Sequence, residues 1–101
     1  MTNDQALDAG TYAVGGPGVA WRETGGEIVV LDVERSVYYG LNASAAELWK
    51  RLATGADRAE LTATLMTDAR VTDPPVTEQR AGSDVDEFLA ELRRYGLLQR
   101  R

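Results

Sequence analysis

The chain has no histidine and no cysteine among its 101 residues. It therefore lacks an imidazole general base, a thiol nucleophile and the softer metal ligands, and it cannot form a disulfide. Carboxylates are plentiful, but none has a lysine or a second metal ligand at a spacing typical of a catalytic centre. The sequence predicts a protein that is not an enzyme and that uses no cofactor and no metal.

Positive charge is also scarce, with 11 lysines and arginines against 16 acidic residues and a formal net charge of −5. Surfaces that bind nucleic acid neutralise phosphates with lysine and arginine, so this balance argues against a nucleic-acid partner. Neither G-x-G-x-x-G nor G-K-[ST] occurs, which excludes the common phosphate-binding loops. We expect the ligand to be something other than a nucleic acid or a nucleotide.

Long apolar runs are missing as well. The longest, residues 28–31, is far too short to span a membrane. Residues 1–10 are polar and acidic and do not resemble a secretion signal. We expect a soluble, cytoplasmic protein without a membrane partner.

The order of elements follows from turns and periodicity. Residues 1–18 end in Gly-Gly-Pro-Gly and are predicted to be a flexible segment, with one small domain over residues 19–98. Three β-rich runs open that domain, at residues 19–24, 27–33 and 37–41. Two glycines separate the first two runs, which is typical of a hairpin because primed turns need positive φ.

A two-residue turn fixes the strand register and therefore the two faces of the sheet. Trp21 and Tyr39 are then both opposite Val30. The predicted core face carries Val19, Trp21, Ile28, Val30, Val37, Tyr39 and Leu41. The other face carries Arg22, Thr24, Glu27, Val29, Leu31 and Tyr38. Among these, Val29, Leu31 and Tyr38 form a small apolar patch that faces away from the helices.

Three helices are predicted after the sheet. The first begins at Asn42 or Ser44, the second at Asp57, and the third at Ser83 after a loop over residues 71–82. The third helix has an apolar stripe at i, i+3, i+4 and i+7, formed by Val85, Phe88, Leu89 and Leu92. The prediction is an α+β fold in which a three-stranded antiparallel sheet is followed by three helices, similar to a winged helix.

This arrangement offers one surface for a ligand. The third strand is a sheet edge with unpaired backbone groups, and it lies beside an apolar helix stripe, which suits addition of a peptide strand. A winged helix also suggests DNA binding, but Asp84, Asp86 and Glu87 at the start of the third helix would repel phosphates. A structural or regulatory subunit of an unrelated complex stays open as an alternative.

The sequence VLD at 30–32, YYGLN at 38–42 and ELW at 47–49 resembles the PqqD-like proteins, small recognition elements for ribosomally made precursor peptides (RiPPs). The resemblance covers about residues 19–98. It implies a non-catalytic protein that binds a precursor's leader peptide as an extra strand beside the third strand. The chain looks most like the lasso-peptide B1 branch, whose partner is a separate cysteine leader peptidase. A PqqD-type peptide chaperone for quinone-cofactor biosynthesis is the alternative.

The resemblance also implies which residues meet the leader peptide. On the strand side these are Glu34, Arg35, Ser36, Val37, Tyr38 and Tyr39, mostly through their backbone. On the helix side they are Val85, Phe88, Leu89, Leu92 and Arg93. We expect the apolar patch with Val29 and Leu31 to dock the peptidase or, in a homodimer, a second copy of the chain.

Overall fold

The computed structural model describes residues 11–67 and 77–100. The elements of this part of the chain are β1 (Thr11–Val14), β2 (Val19–Thr24), β3 (Glu27–Asp32), β4 (Val37–Leu41), α1 (Ala43–Thr54), β5 (Ala56–Asp57), α2 (Arg58–Thr67), α3 (Glu78–Arg94) and β6 (Leu98–Arg100). The strands form two sheets, ordered β2-β3-β4 and β5-β1-β6, and every described pairing is antiparallel. The predicted α+β class and the three-stranded meander are confirmed.

The meander has the register that its first turn predicts. Val30 pairs with Trp21 on one side and with Tyr39 on the other. Gly25 and Gly26 have φ values of 62° and 84°, the left-handed pair that a type I′ turn requires. Ile28 and Val30, in the central strand, are fully buried beneath the helices.

Two residues of the predicted core face are more exposed than the alternation suggests. Trp21 is 39% exposed and Val37 is 37% exposed. They lie on β2 and β4, the two outer strands of the sheet, where a neighbouring strand covers only one side. The face assignment is correct, but the depth of burial depends on the strand's place in the sheet.

The second sheet corrects the prediction for residues 1–18. Thr11–Val14 form the central strand of that sheet, and Tyr12 is completely buried. The flanking strands β5 and β6 have only two and three residues, which is too short for a periodic pattern to be recognised. Residues 1–10 of the predicted flexible segment lie outside the described residues.

The caps of the first two helices follow the sequence closely. Asn42 is the N-cap of α1, because its Oδ1 accepts hydrogen bonds from Ala45 N and Ser44 Oγ, each at 3.1 Å. Asp57 and Glu60 form a reciprocal capping pair at the start of α2: each side chain accepts from the other's backbone N–H, at 2.8 and 2.9 Å.

The third helix begins earlier than predicted. Thr77 caps α3 by accepting a hydrogen bond from Arg80 N at 3.1 Å, so Ser83 lies inside the helix. Residues 77–82 therefore do not belong to the predicted loop, and residues 71–76 lie outside the described part. Gly82 is buried, and a Cβ there would lie 2.8 Å from Arg58 Nη2. This glycine leaves room for the Arg58 guanidinium, which reaches from α2 to α3.

Candidate functional site

Hydrogen-bonded and non-hydrogen-bonded residue pairs alternate along the strands of the meander, and this alternation shows which backbone groups have no partner in the sheet. Thr24 and Glu27 close a two-residue turn and therefore form a hydrogen-bonded pair. The same ladder reaches the far end of the strands, where Val33 N donates to Gly18 O at 2.8 Å. Consequently the odd-numbered residues of β3 bond to β2, and its even-numbered residues bond to β4.

The even-numbered residues of β3 pair with Val37, Tyr39 and Leu41 of β4. The N–H and C=O groups of Tyr38 and Gly40 therefore point away from β3, because these groups alternate along an antiparallel strand. Within the described ranges, no strand pairs with β4 on that side. Tyr38 and Gly40 thus present an open edge for hydrogen bonding.

The side chains of β4 alternate between two environments. Tyr39 points toward the helices and stacks on Tyr95, with ring centroids 4.6 Å apart and 30° between the ring planes. Tyr38 points the other way and is 70% exposed. The stack brings the C-terminal end of α3 close to the open edge.

One flank of α3 faces this edge. With about 100° between successive residues, Phe88 and Tyr95 share a flank, and both are partly buried. Asp86 lies on the opposite flank, where Arg58 of α2 bonds to it. We call the space between the open edge of β4 and the flank with Phe88 and Tyr95 the β4–α3 groove.

The structure separates the predicted helix contacts into two groups. Phe88 is on the groove flank and keeps part of its surface exposed. Val85, Leu89 and Leu92 are only 0%, 4% and 3% exposed. They form the core beneath the groove and offer almost no surface to a ligand.

Arg93, predicted to meet the peptide at the rim of the helix, is exposed on a different flank of α3. By helical spacing it shares the flank that carries Asp86 and points away from Phe88 and Tyr95. Tyr95 was not among the predicted contacts, although its i+7 spacing from Phe88 places both on one helix face. The spacing was visible in the sequence, but the direction of that face was not.

The turn between β3 and β4 is tied to the same end of α3. Arg35 Nη1 donates to the backbone oxygen of Tyr95 at 2.7 Å and lies 3.6 Å from Asp32 Oδ2. Glu34 and Ser36 are exposed, and Ser36 has a φ of 57°. The turn therefore borders the groove. The Arg35 side chain is engaged within the protein by its hydrogen bond to Tyr95 and its ion pair with Asp32.

The opposite side of the sheet carries the predicted apolar patch. Leu31 pairs with Tyr38 and is half-buried, while Val29 in the same strand is 48% exposed. We call Val29, Leu31 and Tyr38 the outer patch. It shares β4 with the open edge.

The shifted pKa values belong to surface ion pairs outside the groove. Hydrogen bonds from Arg58 lower the pKa of Asp86, and hydrogen bonds to Glu47 and Glu23 raise the pKa of Lys50. No cluster of three or more metal-binding side chains occurs in the described residues, and no described helix is long and apolar enough to cross a membrane. The groove itself exposes backbone hydrogen-bonding groups of β4 and part of the Phe88 and Tyr95 side chains.

Comparisons with known proteins agree with this geometry. The family described as "Coenzyme PQQ synthesis protein D (PqqD)" matches residues 27–98, from the first residue of β3 to the first residue of β6. The comparison with curated proteins gave no match.

Two solved structures share the fold. "TbiB1 in Complex with the TbiA(beta) Leader Peptide" is 24% identical with a TM-score of 0.70, covering 86% of this chain and 94% of that chain. "Lasso peptide synthetase B1 complexed with the leader peptide" is 23% identical with a TM-score of 0.73, covering 87% and 96%. The resemblance inferred from the sequence is confirmed at the level of the family: the chain belongs to the PqqD family.

Proposed function

We propose that the protein is a non-catalytic leader-peptide-binding protein of lasso-peptide maturation. It captures the leader of a ribosomally made precursor by strand addition to β4 and presents it to a separate leader peptidase. The observation that carries the proposal is the open edge at Tyr38 and Gly40 beside the apolar flank of α3. Family membership supports it, and so does the leader peptide named with both similar structures.

The groove geometry defines the kind of peptide that fits. An added strand pairs with β4 at a spacing of about 4.8 Å, and its side chains alternate between two faces. One set of alternate residues points to the same side as Tyr39 and therefore meets Phe88 and Tyr95. The proposal thus calls for an extended peptide with apolar or aromatic side chains at alternate positions.

Binding is tested with fluorescently labelled synthetic peptides that cover the N-terminal halves of short peptides encoded beside this gene. Anisotropy titrations compare each peptide with a scrambled version of the same composition. We expect selective, saturable binding that survives moderate salt, because backbone hydrogen bonds and apolar contacts are screened less than phosphate contacts. Binding that falls steeply with salt for every sequence, scrambled ones included, would contradict the proposal.

Gly40 allows a matched pair of variants at the open edge. A Cβ at Gly40 meets nothing within 4 Å, so Gly40→Ala keeps the N–H and adds no clash. Gly40→Pro removes the N–H that points outward, a change that edge strands tolerate. We expect Gly40→Pro to weaken leader binding at least about tenfold and Gly40→Ala to leave it nearly unchanged. Equal affinities of the two variants, both folded, would exclude strand addition at β4.

We also propose that the outer patch docks the leader peptidase. It shares β4 with the open edge, so an enzyme seated on Val29, Leu31 and Tyr38 would be next to the bound leader. Leu31→Asp is expected to abolish capture of the purified peptidase in a pull-down while leader affinity changes little. Self-association of the wild-type chain that Leu31→Asp removes would instead assign the patch to a homodimer.

A further inference from the structure

Arg35 ties two distant parts of the chain together. Its Nη1 donates to the backbone oxygen of Tyr95 at 2.7 Å, across 60 residues of sequence. The Asp32 carboxylate holds Arg35 from the other side, accepting from its backbone N–H at 3.2 Å and lying 3.6 Å from Nη1. The guanidinium is thus already engaged within the protein in the absence of a peptide.

The oxygen that Arg35 meets is one that a helix end leaves without a helical partner. Tyr95 is the C-cap of α3, and Leu97 N donates back to Leu92 O at 2.9 Å in a Schellman arrangement. The final carbonyl groups of a helix carry partial negative charge and attract a cation. Arg35 supplies both the hydrogen bond and the charge.

Gly96 lies directly beside this contact. Its φ is 75°, which favours glycine, and a Cβ at this position would lie 3.3 Å from Arg35 Nη1. Both the positive φ of Gly96 and the nearby guanidinium favour a residue without a side chain at this position. The guanidinium therefore lies against a helix end that has no side chain at its C′ position.

We propose that Arg35 is a positioning residue for peptide binding, an inference that rests on the proposed function. It holds the C-terminal end of α3 against the β3–β4 turn, so that Tyr95 stacks on Tyr39 and the β4–α3 groove has its binding width before a peptide arrives. A preformed groove costs less to order on binding than a loose one. This role belongs to the Arg35 side chain, whereas the contact that the resemblance implied for residues 34–39 was mostly through their backbone.

Kinetics distinguish positioning from contact. If Arg35 only raises the fraction of molecules with a formed groove, its loss lowers the apparent association rate and leaves dissociation unchanged. If Arg35 touches the peptide, its loss raises the dissociation rate. We expect Arg35→Met, which keeps most of the apolar stem, to lower the association rate about three- to tenfold.

Two further variants serve as controls for the kinetic experiment. Arg22→Met removes the same charge from an exposed position on the outer face of β2, and it is expected to bind like wild type. This comparison separates loss of the hydrogen bond between Arg35 and Tyr95 from loss of electrostatic steering by a positive charge. Arg35→Lys keeps the charge and one donor, and it is expected to recover part of the association rate.

A measurement without peptide tests whether the Arg35 hydrogen bond stabilises the C-terminal end of α3. Amide hydrogen exchange at Leu97, whose N–H closes the Schellman arrangement, is expected to be faster in free Arg35→Met than in free wild type. An unchanged rate at Leu97, an unchanged association rate, or a raised dissociation rate would each overturn the positioning role. Failure of wild type to bind any leader would instead overturn the proposed function, and the exchange result would remain readable.

Discussion

Trp49 shows how a single residue can be predicted from its context. It lies at helical spacing from Ala45, Leu48 and Leu52 in the sequence, which predicts a buried position. The structure buries it completely, with its ring edge-to-face against Trp21 at 6.2 Å between centroids. Its indole Nε1 has no hydrogen-bond partner within the described part of the chain. The ring therefore acts through packing.

Trp49→Ala is expected to lower the free energy of unfolding by about 3–5 kcal/mol, because it leaves a cavity in the core. Urea denaturation followed by circular dichroism measures this change. Trp21→Ala, at a site that is 39% exposed, serves as the control and should lose less stability. A Trp49→Ala protein as stable as wild type but unable to bind a leader would place the ring in a binding site.

Other residues could not be placed from sequence alone. Phe88, Leu92 and Arg93 all lie within one and a half turns of α3. Phe88 is on the groove flank, Leu92 is buried in the core, and Arg93 is exposed on the flank that carries Asp86. Periodicity gives the angles between side chains, but not the direction in which the helix meets its neighbours. That direction is set by tertiary packing, so the helix side of the site was only partly predicted.

At the scale of elements, the pairing of α2 with α3 involves a bidentate ion pair. Arg58 Nε and Nη2 donate to the two carboxylate oxygens of Asp86, at 2.7 and 3.0 Å. These bonds lower the pKa of Asp86. A carboxyl group whose pKa is lowered by folding stabilises the fold above its ordinary pKa, and this contribution is lost as the pH falls through the lowered value.

Asp86→Asn is therefore expected to be less stable than wild type at pH 7, by at most about 1 kcal/mol because both side chains are substantially exposed. The difference should shrink as the pH is lowered from 7 to about 3, because protonation of Asp86 removes the same interaction from wild type. Urea titrations at both pH values measure it. A difference of the same size at both would contradict an ion-pair origin.

Elements defined by local chemistry were predicted well, and elements defined by distant partners were not. The Gly25-Gly26 turn fixes the register of the meander, and the Asp57–Glu60 pair marks the start of α2. By contrast, β1 is a strand because β5 and β6 lie on either side of it. Neither partner is long enough to leave a pattern in the sequence.

At the scale of the whole molecule, the β4–α3 groove is formed by two elements that meet only after folding. The open edge of β4 and the flank of α3 come from different halves of the chain. The Arg35 hydrogen bond to Tyr95 and the Tyr39–Tyr95 stack join them. The sequence predicted the edge strand and the apolar helix correctly. It did not show how the helix end is fastened to the turn.

The most direct test of the account is amide hydrogen exchange along β4, with and without a leader peptide that binds. In the free protein, the Tyr38 and Gly40 amides should exchange rapidly, while Val37, Tyr39 and Leu41 are protected by β3. Binding is predicted to protect Tyr38 and Gly40 strongly and to change the other three much less. A leader that binds tightly while Tyr38 and Gly40 continue to exchange rapidly would contradict strand addition to β4.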